Sequence, residues 1–194
     1  MSARLPAAAR REQLLTVALE VFARNGFHGT SMNEVAEAAG VTKPVLYQHF
    51  ASKRELYLAL LEEVGARLRT AIAKATADAA GPHEQVEKGF RAYFRWVADD
   101  RDAFLLLFGS GARRDEDFAE AIHHVEDAIA DAIAPLIQAD VSAEHKQVLA
   151  WSLVGLSEVT SRRLVNGEGS FDPDRIAAQV ANLAWAGLRG VRST

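Results

Sequence analysis

The fold class predicted is all-α, with an N-terminal three-helix helix-turn-helix domain followed by a longer helical domain. Apolar residues recur at helical spacing along the chain, and no stretch of useful length alternates with period two. Two capping signals, Ser31 with Glu34 and Ser52 with Glu55, mark helix starts close together. Glycine and proline fall between the periodic segments, at Gly40, at Ala80-Gly81-Pro82 and in the GSGARR stretch from Gly109 to Arg114.

Residues 1–9 have no apolar face to bury and are expected to form a disordered arm. Arg4, with Arg10 and Arg11, could touch a phosphate backbone or be a solvated tail. The second helix starts at Ser31, whose hydroxyl can accept from a backbone N–H while the Glu34 carboxylate reaches back. Its apolar stripe is Met32, Val35, Ala36 and Ala39. Gly40 supplies the positive φ of a helix C-terminus and lets Val41 fold onto the core. Thr42 is the next N-cap, and Pro44 sits in the first turn, where a missing N–H costs nothing. Because Ser52 and Glu55 open another helix, the third is confined to Val45–Phe50. Such a short helix needs tertiary packing to persist. At about 100° per residue Leu46 and Phe50 share the inward side. Pro44, Val45 and Gln48 face away, with Tyr47 on the flank. Lys43 stands at the start of this helix, His49 on its side, and Lys53 at the next helix N-terminus, where free backbone N–H groups favour anions.

The fourth helix is expected from Lys53 to about Ala77, joining the two parts as one rod. Further helices are expected over Pro82–Ala98, Arg101–Ser110, Asp115–Ala139, Ser142–Asn166 and Asp172–Val191. Pro135 should kink or end its helix, and GSGARR is the flexible joint.

Charge is unevenly placed. Up to Arg54 there are seven Lys and Arg against four Asp and Glu, a net of +3 in a chain of −4, so the remainder carries −7. A basic head on an acidic body suggests that only the head meets a polyanion. With no cysteine, a disulfide framework or thiolate metal site is excluded. The longest strongly apolar run, Ala103–Phe108, is too short to span a bilayer, and no signal-peptide core is present. A cytoplasmic protein with no membrane partner, no metal and no cofactor is expected.

Arg10–Tyr57 also resembles the N-terminal DNA-binding domain of the TetR family of one-component bacterial transcriptional regulators. The resemblance rests on Leu14, Ala18, Phe22, Gly26 and Phe27, the Thr30-Ser31 pair, Gly40-Val41, and the run VLYQHFASKRELY. It covers about the first quarter of the chain by motif. It implies a DNA-binding domain over residues 1–57, an effector-binding and dimerisation domain over 58–194, and DNA contacts from Thr30, Ser31, Thr42, Lys43, Pro44, Val45, Tyr47, Gln48, His49 and Lys53. Many members have glycine at the position of Pro44 and tyrosine or tryptophan at that of Gln48, so the operator cannot be borrowed from a relative. The implied function is that of a regulator, a repressor released from a palindromic operator by a small hydrophobic effector, and not an enzyme.

Val148, Ser152, Gly155 and Val159 form a stripe of small and β-branched residues, and Ile176, Val180, Leu183 and Gly187 a comparable face on the final helix. A mid-helix glycine costs about 1 kcal/mol relative to alanine, which suggests close approach of another helix. These faces are read as a homodimer interface, or alternatively as packing within one subunit. Phe94, Phe104, Leu107, Phe108, Val125, Ile129 and Trp151 are the candidate effector pocket, against the alternative that they are plain core. Glu120 and His123 have the Glu-x-x-His spacing of di-iron bundles, but such a site needs two such motifs and this chain has one. A helical protein-interaction adaptor is the remaining rival, and it predicts no salt-sensitive duplex binding.

Overall fold

The structure, a computed structural model, describes residues 5–109, 115–167 and 170–191. Among these there is no strand, and the helices are α1 (Ala7–Gly29), α2 (Met32–Ala38), α3 (Lys43–His49), α4 (Lys53–Thr76), α5 (Pro82–Asp99), α6 (Arg101–Phe108), α7 (Glu116–Ile133), α8 (Ala143–Val165) and α9 (Pro173–Gly190). Ala7–Ala9 of the expected arm are the first residues of α1. Residues 1–4, with Arg4, and residues 110–114 of the expected joint lie outside the described residues. Pro135 ends α7, which finishes at Ile133 and passes into a 3-10 turn over Ala134–Leu136. Among the described residues no helix is long and apolar enough to cross a membrane.

The chain packs as two compact units, Met1–Val64 with Asp102–Ile122, and Gly65–Arg101 with His123–Thr194. In the first, Leu14, Ala18, Phe22, Val35, Leu46, Phe50, Leu56 and Leu61 are buried. Helix α1 is broken at Gly26, whose φ of 69° is left-handed, so the chain turns there and lays the half-buried Phe27 ring against Phe22 and Tyr57. Phe118, from the first turn of α7, stacks edge-on to Phe27 at 4.7 Å and lies 4.5 Å from Tyr57. Arg54 crosses the Phe118 ring at 4.8 Å and forks onto Asp115, with Asp117 as a further partner. The functional division implied by the family resemblance lies at Tyr57. The packing unit extends further because these aromatic and charged partners come from about sixty residues along the chain, beyond any local pattern.

In the second unit α9 lies on α5, burying Ala177, Val180, Ala181 and Ala184. Arg95 of α5 forks onto Asp174 at 2.7 and 2.8 Å, which fixes the start of α9. Ala130, Ala134, Ile137 and Ala150 form a small core between α7, the 3-10 turn and α8. Gly65 of α4 is packed so closely that a Cβ there would lie 2.5 Å from Cγ1 of Val125 on α7. Gly65→Ala is expected to destabilise the protein by about 1–3 kcal/mol through overpacking, read as a lower denaturant midpoint. An unchanged midpoint would show that α7 can move aside freely.

Candidate nucleic-acid interface

The turn between α2 and α3 forms as its residues dictate. Ser31 N–H donates to the Glu34 carboxylate at 2.7 Å and its Oγ accepts from the Glu34 N–H at 3.2 Å, a reciprocal cap. The Ser31 hydroxyl and N–H, with the charge of Lys53, hold the Glu34 carboxyl below its ordinary pKa. At the other end of α2, Gly40 has φ 64°, the Val41 N–H donates to the Ala36 carbonyl and the Gly40 N–H to that of Glu37. This pair of bonds is a Schellman stop, and it sets the angle at which α3 leaves. The side chain of Gln13 donates to the Ala39 carbonyl at 3.4 Å, tying the turn to α1.

Helix α3 is held by Leu46 and Phe50, exposed by 0% and 1%. Arg11 of α1 lies 5.2 Å from the Phe50 ring centre. On the opposite side Thr42, Lys43, Pro44, Tyr47 and Gln48 are exposed, with Val45 and His49 half-buried at the edges. Thr42 occupies the N-cap position but makes no side-chain capping bond. The reason is local: Pro44 has no N–H to give, and the Val45 N–H already reaches the Thr42 carbonyl at 3.0 Å. Its hydroxyl therefore stays available at the surface.

Two expected contacts sit elsewhere. Thr30 is 3% exposed, and its hydroxyl donates to the Gly26 carbonyl at 2.8 Å, closing the broken end of α1 rather than facing outward. The Lys53 ammonium donates to the carbonyls of Phe27 and Thr30, both at 2.7 Å, and lies 4.4 Å from the Phe27 ring centre. Lys53 thus caps α1, whose C-terminal carbonyls attract a cation. Lys53→Ala is expected to cost about 1–2 kcal/mol of stability and to change the salt slope of duplex binding by less than one unit. A full-unit fall with an unchanged unfolding midpoint would return Lys53 to the phosphates. Arg54 was not singled out from sequence; its guanidinium is spent on Asp115 and Asp117, and nothing local announces that pairing.

The other expected sites divide differently. Phe94, Phe104, Leu107, Phe108, Val125 and Ile129 are all buried at 4% exposure or less, and Trp151 is 48% exposed with its indole N–H on Asp127 at 2.9 Å. Within the second unit a groove of about 280 Å³ is lined by Arg69, Ile72, Ala73, Thr76, Ala77, Gln85, Ile129, Ala132, Ile133 and Leu136. Of the seven residues read as a pocket only Ile129 reaches it; the rings fill helix contacts instead. On α8 Val148, Ser152 and Val159 are exposed, and a Cβ on Gly155 would meet nothing within 4 Å. On α9 Leu183 and Gly187 are exposed, but Val180 is 8% exposed against α5 and Ile176 half-buried, so the expected α9 face is split. Among the described residues no three His, Asp or Glu gather as metal ligands around Glu120 and His123 or anywhere else.

Comparison with known proteins follows these two parts. The family profile "Bacterial regulatory proteins, tetR family" matches residues 14–60, and "Tetracyclin repressor-like, C-terminal domain" matches residues 82–187. The chain is 34% identical over 193 residues to the HTH-type transcriptional activator FasR of Mycolicibacterium smegmatis, covering 98% of this chain and 88% of FasR. A TetR-like transcriptional regulator from Rhodococcus sp. RHA1 is 31% identical with a TM-score of 0.76, covering 97% of this chain and all of that one. FadR of Bacillus subtilis, solved with stearoyl-CoA, shares the fold at a TM-score of 0.79 and 16% identity, covering 93% of this chain and 99% of that one.

Proposed function

The chain belongs to the TetR family of bacterial regulatory proteins and is a DNA-binding transcriptional regulator, and on that premise we propose that it binds a palindromic operator as a homodimer and is released by a small hydrophobic effector. Operator binding is assigned to residues 1–57, and effector binding and dimerisation to 58–194. The carrying observation is the two-sidedness of α3: Leu46 and Phe50 are sealed inward while Thr42, Lys43, Pro44, Tyr47 and Gln48 stand free. A helix held in that way can enter a major groove and bring short polar side chains to base edges. Ser31, Thr42 and Lys43 then serve the phosphates, Pro44, Val45, Tyr47 and Gln48 the bases, and His49 the edge of the contact. Thr30 and Lys53 act one step back, by holding the end of α1.

Two copies paired through α8 and α9 would place their α3 helices about 34 Å apart, one turn of duplex. An apolar effector in the groove of the second unit would favour a conformation with a different head spacing, and couplings of this kind are typically about 1–3 kcal/mol, or about 5–150-fold in operator affinity. The name of FasR is that of an activator. Operator occupancy silences or drives a gene according to where the operator lies relative to the promoter, and both signs fit this mechanism.

Selection of bound duplexes from a random pool tests the reading. Enrichment of a two-fold symmetric site with salt-sensitive affinity is expected; a pool without enrichment defeats it. Gln48→Ala should then shift the preferred base at one position of each half-site, worth about 1–3 kcal/mol of discrimination. An identical preferred site in the variant would remove Gln48 from the reading face.

A further inference from the structure

The groove of the second unit is an apolar space with one charge in its wall. On α4 its lining residues Arg69, Ile72, Ala73, Thr76 and Ala77 recur at intervals of three and four, so they share one side of the helix, and Ile129 and Ala132 of α7 line it at the same spacing. Ile72 and Ile129 are buried, whereas the alanines at 73, 77 and 132 are exposed. The opening thus follows from short side chains at positions where a leucine would fill it. Arg69 is half-buried, and among the described residues its guanidinium has no hydrogen bond or ion pair. Neighbouring acids are committed elsewhere, Asp78 and Glu84 to Lys88 at 2.9 and 3.1 Å and Asp131 to Gln147 at 2.8 Å. The Thr76 hydroxyl donates to the carbonyls of Ile72 and Ala73, and Gln85 carries no charge. An arginine stays charged and presents a planar fork that matches a carboxylate. Arg54 and Arg95 each hold an aspartate in that fork; Arg69 turns the same fork toward an apolar groove and holds none.

We infer that this groove takes a medium-length aliphatic carboxylate, its head held by Arg69 and its chain laid along α4 toward Thr76; this rests on the reading of the second unit as the effector-binding part and gives that effector a head group and a length. The charge decides the head. A guanidinium in an apolar wall gains most from an anion, little from a hydroxyl, and is repelled by an ammonium. The space decides the chain. At about 30 Å³ per heavy atom, 280 Å³ holds about nine. From Arg69 to Thr76 the helix rises by about 10 Å, the reach of about eight bonds of an extended chain at about 1.2 Å per bond. Both measures give about eight to ten carbons.

The test uses the full chain, straight-chain carboxylates from hexanoate to dodecanoate, 1-octanol and octylammonium as head-group controls, and thermal melting as the readout. Octanoate should raise the wild-type melting temperature, 1-octanol should raise it less, and octylammonium should leave it unmoved. Affinity should grow about fourfold per methylene and level off near ten carbons. Arg69→Met should weaken octanoate about tenfold and spare 1-octanol. Ala73→Leu, a change at an exposed helix position that fills the groove, should remove both responses. Any of four results overturns the inference: no octanoate response in the wild type, 1-octanol or octylammonium binding as tightly as octanoate, an octanoate response unchanged in Arg69→Met or Ala73→Leu, or affinity still climbing at dodecanoate. Binding to a selected duplex, measured in parallel, separates the two readings. Octanoate that binds without lowering duplex affinity defeats the effector reading and leaves the carboxylate site standing. A duplex released as readily by 1-octanol as by octanoate keeps the effector reading and defeats the site.

Discussion

Phe50→Ala is expected to lower the stability of the protein by about 3–5 kcal/mol and to abolish sequence-selective duplex binding. Phe50 is 1% exposed and sits under the Arg11 guanidinium, and with Leu46 it provides the inward anchorage of a helix of seven residues. So short a helix has little stability of its own. Removing the ring leaves a cavity beneath α3, and the helix loses the angle at which it would enter a groove. Denaturant unfolding and fluorescence anisotropy on a selected duplex measure both effects. Gln48→Ala is the control, since an exposed residue of this kind usually changes stability by less than about 0.5 kcal/mol. Phe50→Ala with wild-type stability and affinity would mean that α3 is held by something other than its buried face.

Leu183→Glu is expected to leave the fold intact, convert a dimer into a monomer near 21.1 kDa, and reduce operator affinity by about 10²-fold or more. Leu183 is 64% exposed, Val159 58% and Val148 48%, a concentration of apolar surface on α8 and α9. Gly155 and Gly187 on the same helices have nothing within 4 Å of where a Cβ would stand. Open space over a mid-helix glycine is what a closely crossing partner helix would use. Two glutamates brought together by a two-fold axis would repel, and a regulator that loses its second head loses the gain from binding both half-sites at once. Sedimentation velocity and the same anisotropy assay decide it. A wild-type monomer at micromolar concentration, or a Leu183→Glu dimer, would refute the interface.

How the chain is read depends on the distance over which each interaction acts. The cap of Ser31 and Glu34, the Gly40 stop and the Leu46–Phe50 anchor of α3 were legible, because each arises from residues within five positions of one another; α3 itself runs Lys43–His49 rather than the expected Val45–Phe50, since Pro44 stands inside its first turn and Phe50 is already extended. The α5 and α8 boundaries were legible for the same reason. The aromatic residues were recognised as buried bulk, but whether they enclose a space or fill one depends on helix spacing, which the sequence does not encode locally. The family resemblance implies DNA contacts at Thr30 and Lys53, whereas their hydrogen bonds depend on the break at Gly26.

The sequence alone determined the helical class, the order of the helices, the caps that open and close α2, and which side of the shortest helix is apolar. Only the tertiary structure decided that Phe118 and the Arg54–Asp115 pair complete the first unit, that Val180 turns toward α5 while Leu183 turns out, and that Tyr93 and Ser161 are buried together. Capping and periodicity are set by backbone geometry over one or two turns. Contacts between residues far apart in the chain are instead selected by how helix surfaces fit when they close on one another, and no single segment contains that information.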